Sequence, residues 1–224
     1  MTAIEGSPRG KIVAVCRGVA RDFPASETAS TPAWRSAIAK SSTDEVVRVF
    51  SRGLDGDEQA DRRHHGGPDQ ALLMYSADHY AGWRAEFDLS EFPHGAFGEN
   101  LTILGLTEEA VCIGDVFRVG NATARVTMPR FPCWKLARRW NVGSLTERAR
   151  ETGRVGWYLG VVEEGEVHSG EELILLERPH EQWSVARVHA LMHHDLSDQE
   201  SARELSVLDA LSETWRSIFA ERVS

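Results

Sequence analysis

The chain has 224 residues, a formal net charge of −9, and 42% hydrophobic and 26% charged residues. A chain of this length and composition builds one large globular domain, or one domain with a small appendage. The acidic balance argues against nucleic-acid binding over the whole surface, and no apolar run approaches the ~20 residues of a membrane span.

The cysteines and the start of the chain indicate a cellular compartment. Cys16, Cys112 and Cys133 are widely spaced and form no CxxC pair, which fits a reducing environment and argues against a zinc ribbon or a thioredoxin-like site. The first residues lack the apolar segment of a signal peptide. We therefore expect a cytoplasmic protein.

Short strands separated by glycine-rich turns are predicted along most of the chain. Residues 18–45, rich in Ala, Ser, Thr and Pro, are predicted to form a long loop, and residues 78–87 a helix. Apolar and polar side chains alternate over residues 122–128, which is the period of a half-buried strand. The predicted strands are residues 11–16, 45–50, 71–75, 111–117, 118–128 and 173–177. This pattern indicates a barrel or a sandwich rather than a doubly wound sheet.

The end of the chain has a helical pattern. Ser184 is predicted to cap a helix that runs to His193, Ser197 and Glu200 to form a capping box before a second helix, and Ser212 to cap a third. One apolar face of the third helix is predicted from Trp215, Ile218, Phe219 and Val223. We therefore predict a β-rich domain over residues 1–178 and a short helical domain over residues 179–224.

The most informative segment is residues 128–135 (MPRFPCWK), around Cys133. It lies in a basic island, because residues 116–146 contain six Arg or Lys and no Asp or Glu. Pro132 suits the first turn of a helix over residues 134–140, so we expect Cys133 near a helix N-terminus. Together with Arg130 and Lys135, this setting favours the thiolate form of Cys133. A buried, inert cysteine is the alternative, and the local sequence leaves both open.

Two turns carry weaker signals. Gly66 and Gly67, which follow His65, allow backbone N–H groups to approach an anion, but a simple tight turn is the commoner explanation. Residues 55–58 (DGDE) lack the spacing of an EF-hand and predict a solvated turn.

Two further pairs of polar residues are weak candidates for a site. Glu99 and Asn100 place a carboxylate beside an amide at a turn, which alone is a weak signal. His189 and His193 lie one helical turn apart but have no third ligand nearby, which favours a surface or packing role over a metal site.

Taken together, the motifs resemble the MOSC-domain family, and within it the bacterial YiiM type. The resemblance spans about residues 11–178, and the helical tail resembles the three-helix extension of the YiiM type. The segments that carry it are residues 36–40 (SAIAK), 53–61 (GLDGDEQAD), 65–71 (HGGPDQA), 97–101 (FGENL), 114–115 (GD), 129–136 (PRFPCWKL) and 153–158 (GRVGWY). Met128 departs from the glutamine expected before Pro-Arg, which predicts an altered hydrogen bond near the pocket.

The resemblance implies a mainly β, barrel-like fold with peripheral helices that binds molybdenum cofactor, with Cys133 as a ligand to molybdenum. It also implies reduction of N-hydroxylated compounds such as N-hydroxylaminopurine, with electrons from a separate redox protein. The phosphate of the pterin would be the anion held by the basic island. Asp69 or Glu99 is a candidate, by residue type, to protonate the departing oxygen. The predicted cofactor-binding residues are Ser36, Lys40, His65, Gly66, Gly67, Asn100, Arg130 and Lys135.

Other functions stay open at this point. Cys133 also suits a sulfur carrier that holds a persulfide, or a cofactor-free hydrolase in which it pairs with a histidine. A module that only holds the cofactor is a further alternative. The sequence contains no evident flavin, haem or iron–sulfur motif, so a reductase would need a separate electron donor. The substrate and the assembly, a homodimer included, are not defined by the sequence.

Overall fold

The computed structural model describes residues 4, 6, 8–25, 32–61 and 66–224, which form short strands, helices and the turns and loops between them. The strands are β1 (Arg9–Arg17), β2 (Arg21–Phe23), β3 (Trp34–Ser36), β4 (Ser41–Thr43), β5 (Val47–Phe50), β6 (Gly53–Leu54), β7 (Leu72–Ser76), β8 (Leu101–Leu104), β9 (Val116–Val119), β10 (Ala122–Pro129), β11 (Trp157–Glu163), β12 (Gly165–Val167) and β13 (Glu172–Glu177). The α-helices are α1 (Tyr80–Phe87), α2 (Trp134–Trp140), α3 (Leu145–Thr152), α4 (Val185–His193), α5 (Gln199–Ser206) and α6 (Glu213–Val223).

Seven strands close into a barrel. Their order around it is β1, β13, β9, β10, β11, β7, β8 and back to β1. Neighbouring strands are antiparallel except β7 and β8, which run parallel with Met74 opposite Leu101. Closure pairs the strands on both sides, so the ring has no free edge. The prediction of a mainly β, barrel-like fold with peripheral helices is confirmed.

An apolar core fills the barrel. Ile12, Phe117, Val126 and Leu159 are fully buried members of it. Strand β10 is buried along nearly its whole length, not only at alternate positions as predicted, and Arg125 is its exposed residue. Its second face contacts the turn at Pro68–Gln70 and the C-terminal helices.

Several predicted elements are confirmed and others are corrected. The predicted strands that correspond to β1, β5, β7 and β13 are present, and the predicted first helix is α1, preceded by a 3₁₀ turn at Ala77–His79. The long loop predicted for residues 18–45 was wrong in part, because it contains β2, β3 and β4. The two strands predicted over residues 111–128 are instead the hairpin β9–β10, which turns at Gly120 with a φ of 64°.

The C-terminal helices share the core of the barrel. Trp215 and Phe219 of α6 and Leu205 of α5 belong to the same buried cluster as the barrel strands. Ile218, predicted on that apolar face, is exposed instead. The division at residue 178 stays a prediction. No helix within the described residues is long and apolar enough to cross a membrane.

The helix caps are partly as predicted. Ser184 caps α4, accepting a hydrogen bond from the Arg187 backbone N–H at 3.2 Å. The cap of α5 is Asp198, not Ser197, because the Asp198 carboxylate accepts from the Ser201 backbone N–H at 3.0 Å. Ser212 is at the cap position of α6 but makes no capping bond, since its hydroxyl donates to Met128 Sδ instead, 3.1 Å away.

Candidate functional site

Loops at one end of the barrel enclose a cleft. Two of the six cations of the basic island, Arg130 and Lys135, line it together with Cys133. Its described wall is completed by residues 36–38, Lys40, residues 57–61, Gly66, Gln70, Leu73, Phe97, Gly98, Asn100 and Tyr158. Segments that are distant in the sequence therefore meet around one thiol.

Arg130 is a buried cation in this cleft. It directly follows β10, and its backbone N–H donates to the carbonyl of Gly156 at 3.0 Å. Its side chain lies against the ring of Phe97, with 6.0 Å between Cζ and the ring centroid, and its positive charge acts to lower the pKa of the Tyr158 phenol. Arg130 is 5% exposed, and its buried Nη1 has no hydrogen-bond partner among the described residues. An unpaired buried guanidinium nitrogen is costly, so this geometry favours an anionic ligand.

Cys133 lies at the start of α2, as predicted. Its backbone is extended, it is half-buried, and its carbonyl accepts from Thr146 Oγ1 at 3.1 Å. Burial raises the pKa of Cys16 to about 12 and that of Cys112 to about 11. Cys133 is thus the cysteine positioned to react or to bind a metal.

Lys40 and Asp57 form a buried ion pair in the cleft wall. The Lys40 Nζ lies 2.5 Å from the Asp57 carboxylate, whose side chain is 3% exposed. Asp57 also accepts from the Gly18 backbone N–H at 2.8 Å and from Asn100 Nδ2 at 2.9 Å. Burial lowers the pKa of Lys40, and attraction to Asp57 opposes this effect. The solvated turn predicted for residues 55–58 was wrong at Asp57.

Glu99, predicted as a proton donor, does not line the cleft. It is fully buried and accepts hydrogen bonds from the backbone N–H groups of Gly95 at 2.8 Å and Phe97 at 3.1 Å. The hydroxyls of Tyr80 and Thr102 donate to it as well. A carboxylate surrounded by donors holds the loop at residues 95–98 in shape.

The glycine-rich turn contributes one of its predicted residues. Gly66 lines the cleft, but its backbone N–H donates to Gln70 Oε1 at 3.1 Å and is therefore occupied within the turn. Gly67 and Asp69 do not line the cleft; the Asp69 carbonyl accepts from Thr127 Oγ1 at 2.6 Å. His65 lies outside the described residues. For the described part of the segment, the tight-turn reading fits better than the anion cradle.

Helix α2 holds two walls of the cleft together. Arg139 Nη1 donates to the carbonyls of Ile38 at 2.5 Å and Gly95 at 2.7 Å. Trp140 Nε1 donates to the Ala96 carbonyl at 2.9 Å. Burial lowers the pKa of Arg139 to about 10, so it remains charged at neutral pH. The orientation of Cys133 is thus coupled to the loops at residues 36–40 and 95–98.

The sequence analysis missed several polar residues of the cleft as site residues, among them Asp57 and Tyr158. Both lie inside segments that carried the family resemblance, and that was the available signal. Burial raises the pKa of Tyr158, an effect that the positive charge of Arg130 opposes. The phenol is therefore protonated at neutral pH.

Two other expectations concern residues outside the cleft. Met128 is buried against Ser212 and does not line the cleft, so its hydrogen bond is made to the C-terminal helices. His189 is 1% exposed, in agreement with a packing role. Within the described residues, no group of three or more His, Cys, Asp or Glu is arranged to hold a metal ion.

Comparison with known families identifies the chain. Residues 61–174 match the MOSC domain, and residues 183–224 match the YiiM-like, 3-alpha helix domain. The chain belongs to the MOSC family. MOSC domains are associated in general with binding of molybdenum cofactor.

Relatives of this MOSC protein include uncharacterized and named proteins. It is 41% identical over 187 residues to uncharacterized protein YflK of Bacillus subtilis (strain 168), covering 84% of each chain. It is 38% identical over 189 residues to protein YiiM of Escherichia coli (strain K12), again covering 84% of each. A protein named reductase from Gibberella moniliformis is 39% identical over 160 residues, which are 70% of this chain and 28% of that protein.

Solved structures of YiiM proteins have the same fold as this MOSC protein. The crystal structure of YiiM from Geobacillus stearothermophilus superposes with a TM-score of 0.81 at 30% identity, covering 96% of this chain and 100% of that one. The match extends over the barrel and the C-terminal helices together.

Proposed function

We propose that this MOSC protein binds molybdenum cofactor in the cleft and reduces N-hydroxylated compounds such as N-hydroxylaminopurine. The observation that carries the proposal is the unpaired, buried Nη1 of Arg130 in the same cleft as the half-buried Cys133. Arg130 can bind an anion, and the Cys133 sulfur is a soft metal ligand.

The described residues fit the cofactor. Arg130 and Lys135 would hold the phosphate of the pterin through charge-assisted hydrogen bonds. The Cys133 thiolate would bind molybdenum, since soft sulfur ligands suit thiophilic metals. Lys40 is neutralised by Asp57, so it shapes the wall and adds little net charge. The bound cofactor would supply the electron and oxygen-atom chemistry.

The reaction consumes two electrons and two protons. An N-hydroxylated substrate RNHOH becomes RNH₂ and water when its N–O bond breaks. Glu99 is occupied by hydrogen bonds outside the cleft, so it is not placed to protonate the departing oxygen. The neutral phenol of Tyr158 lines the cleft and can donate a hydrogen bond to that oxygen.

One relative supports a reductase function for this chain but does not define the substrate or the cofactor. The Gibberella protein is named a reductase, but the matched region is 28% of its length. Its activity can therefore involve regions that this chain does not match.

The direct test is turnover with a small reductant. Protein is made in a host that synthesises the cofactor, and reduction of N-hydroxylaminopurine by reduced methyl viologen is followed by chromatography. We expect turnover by the wild type and by Cys112→Ser, and loss of about 100-fold or more in Cys133→Ser, since loss of a residue that only supports a metal ligand already costs about 10–100-fold. Full activity of Cys133→Ser would contradict the proposal.

The accessible thiol also suits a persulfide carrier. Mass spectrometry after treatment with a cysteine desulfurase separates the two functions, because a carrier gains one sulfur atom on Cys133 without molybdenum. The cysteine hydrolase has less support, since no histidine lines the described part of the cleft and His65 is not described.

A further inference from the structure

A partly exposed group of aromatic rings and cations lies beside the cleft, with Phe23 and Trp34 half-buried and Trp134 and Arg21 exposed. Phe23 stacks on Trp34 with 4.1 Å between ring centroids, and Trp34 meets Trp134 edge-on at 5.5 Å. Trp134 is 50% exposed, which is unusual for so large an apolar side chain. We call this surface the aromatic–cation patch; it consists of Arg21, Phe23, Trp34, Trp134, Lys135 and Arg138.

The cations of the patch lie over its rings. Arg138 Cζ is 4.5 Å and Lys135 Nζ is 5.7 Å from the ring centroids of Trp134, and Arg21 Cζ is 5.0 Å from the centroid of Phe23. These contacts orient the charges, and none of the salt bridges among the described residues involves Arg21, Lys135 or Arg138. A net charge of −9 for the whole chain makes this positive surface a local inversion of charge.

The patch adjoins the mouth of the cleft. Trp134 follows Cys133 directly, and Lys135 belongs to both the patch and the cleft wall. On the other side, β3 joins Trp34 to Ser36, which also lines the cleft. A protein bound on the patch would therefore lie next to the proposed cofactor site.

We propose that the aromatic–cation patch docks an acidic electron-transfer protein. The inference rests on the proposed function, because a two-electron reduction needs a donor and the sequence has no evident flavin, haem or iron–sulfur motif. Opposite charge steers such partners together, and exposed tryptophan and arginine are the residue types that anchor interfaces. Each N–O bond broken takes two electrons, one from each of two one-electron carriers or both from one two-electron carrier, and each carrier leaves oxidised.

Three single variants test the docking surface. Arg21→Glu and Arg138→Glu reverse charges of the patch, and Trp134→Ala removes its exposed ring. Arg203→Glu, on the exposed side of α5, makes the same charge change elsewhere. Thermal unfolding first establishes that each variant is folded.

Two measurements are made on each folded protein. The first is substrate reduction driven by reduced methyl viologen or by two acidic carriers, a ferredoxin and a flavodoxin, each kept reduced. The second is the affinity of each carrier for the protein by calorimetry at low and high salt.

The proposal predicts a specific loss. At least one carrier should drive turnover by the wild type and bind more weakly as salt increases. Each patch variant should lower kcat/KM for that carrier by about tenfold or more, while viologen-driven rates and Arg203→Glu stay within about twofold of wild type.

Other outcomes overturn the proposal in distinguishable ways. Viologen-driven turnover without any from the carriers, or patch variants equal to wild type, would reject the docking surface and leave the proposed function standing. If reduced methyl viologen drives no turnover, the proposed function is rejected. If, in addition, neither carrier binds in a salt-dependent way, the docking surface is rejected as well. If a labelled single-stranded oligonucleotide binds more tightly than either carrier, and Trp134→Ala abolishes that binding, the patch would be assigned to nucleic acid. A dimer dispersed by Trp134→Ala would assign it to self-association.

Discussion

Phe131 stacks on Trp215, with 4.5 Å between ring centroids and 16° between ring planes. The first residue lies two positions before Cys133, and the second is a fully buried residue of α6. A second contact, between the start of α6 and the end of β10, is the hydrogen bond from the Ser212 backbone N–H to the Thr127 carbonyl at 3.0 Å. The C-terminal helices thus support the segment that carries the candidate metal ligand.

Replacing Trp215 by alanine should loosen that segment. We expect Trp215→Ala to lower the free energy of unfolding by about 3–5 kcal/mol and to speed hydrogen exchange at residues 129–133. Trp215→Phe is the matched control, because it keeps a ring and removes an indole N–H that is buried without a partner among the described residues. Unchanged exchange at residues 129–133 in the folded alanine variant would show that the helices do not support the segment.

The role of Glu99 predicts the effect of a nearly isosteric change. Glu99→Gln places amide N–H groups where donors already converge, so we expect a loss of about 1–3 kcal/mol in unfolding free energy. Denaturant unfolding measures it, and Glu91→Gln, at an exposed site nearby, is the control. Wild-type stability together with a selective loss of turnover would instead support the proton-donor role.

The three thiols should differ sharply in reactivity. Brief treatment of the folded protein with iodoacetamide at pH 8, followed by peptide mapping, should label Cys133 and leave Cys16 and Cys112 unmodified. Burial removes the last two from solvent and raises their pKa values to about 12 and about 11. Unfolded protein should be labelled at all three, and preferential labelling of Cys16 in the folded state would contradict the structure.

Acid should destabilise the protein through His189. Burial, with lesser repulsion from His193 and His194, lowers its pKa from 6.5 to about 3. The unfolded chain therefore binds more protons between these values, so stability is lost as the pH falls from about 6.5 towards 3, by up to roughly 5 kcal/mol. His189→Gln should flatten this part of the curve in denaturant titrations, and the exposed control His168→Gln should not. An equal slope for wild type and His189→Gln would contradict the assignment.

Local patterns were sufficient to predict many strands and the C-terminal helices, but not every contact. Strand β11 was missed because Gly160 interrupts its apolar pattern; a side chain there would meet the Pro68 carbonyl at 2.9 Å. Asp57 was read as solvated because its partners, Gly18 and Asn100, are 39 and 43 residues away. Spacing along the chain does not reveal such long-range burial.

The site residues also divide into those that local sequence predicts and those that depend on long-range contacts. Cys133 and Arg130 were predicted from local charge and from the family resemblance, and both line the cleft. Glu99 was selected by residue type, but its direction depends on donors from residues 80, 95, 97 and 102, which only the folded chain brings together.

The central claim is that Cys133 binds molybdenum in this cleft, and metal content tests it most directly. Wild type, Cys133→Ser and Cys112→Ser are purified from a host that makes the cofactor and analysed for molybdenum by mass spectrometry. The account predicts close to one molybdenum per chain in wild type and Cys112→Ser, and little in Cys133→Ser. Equal molybdenum in Cys133→Ser and wild type, or none in any of the three, would contradict it.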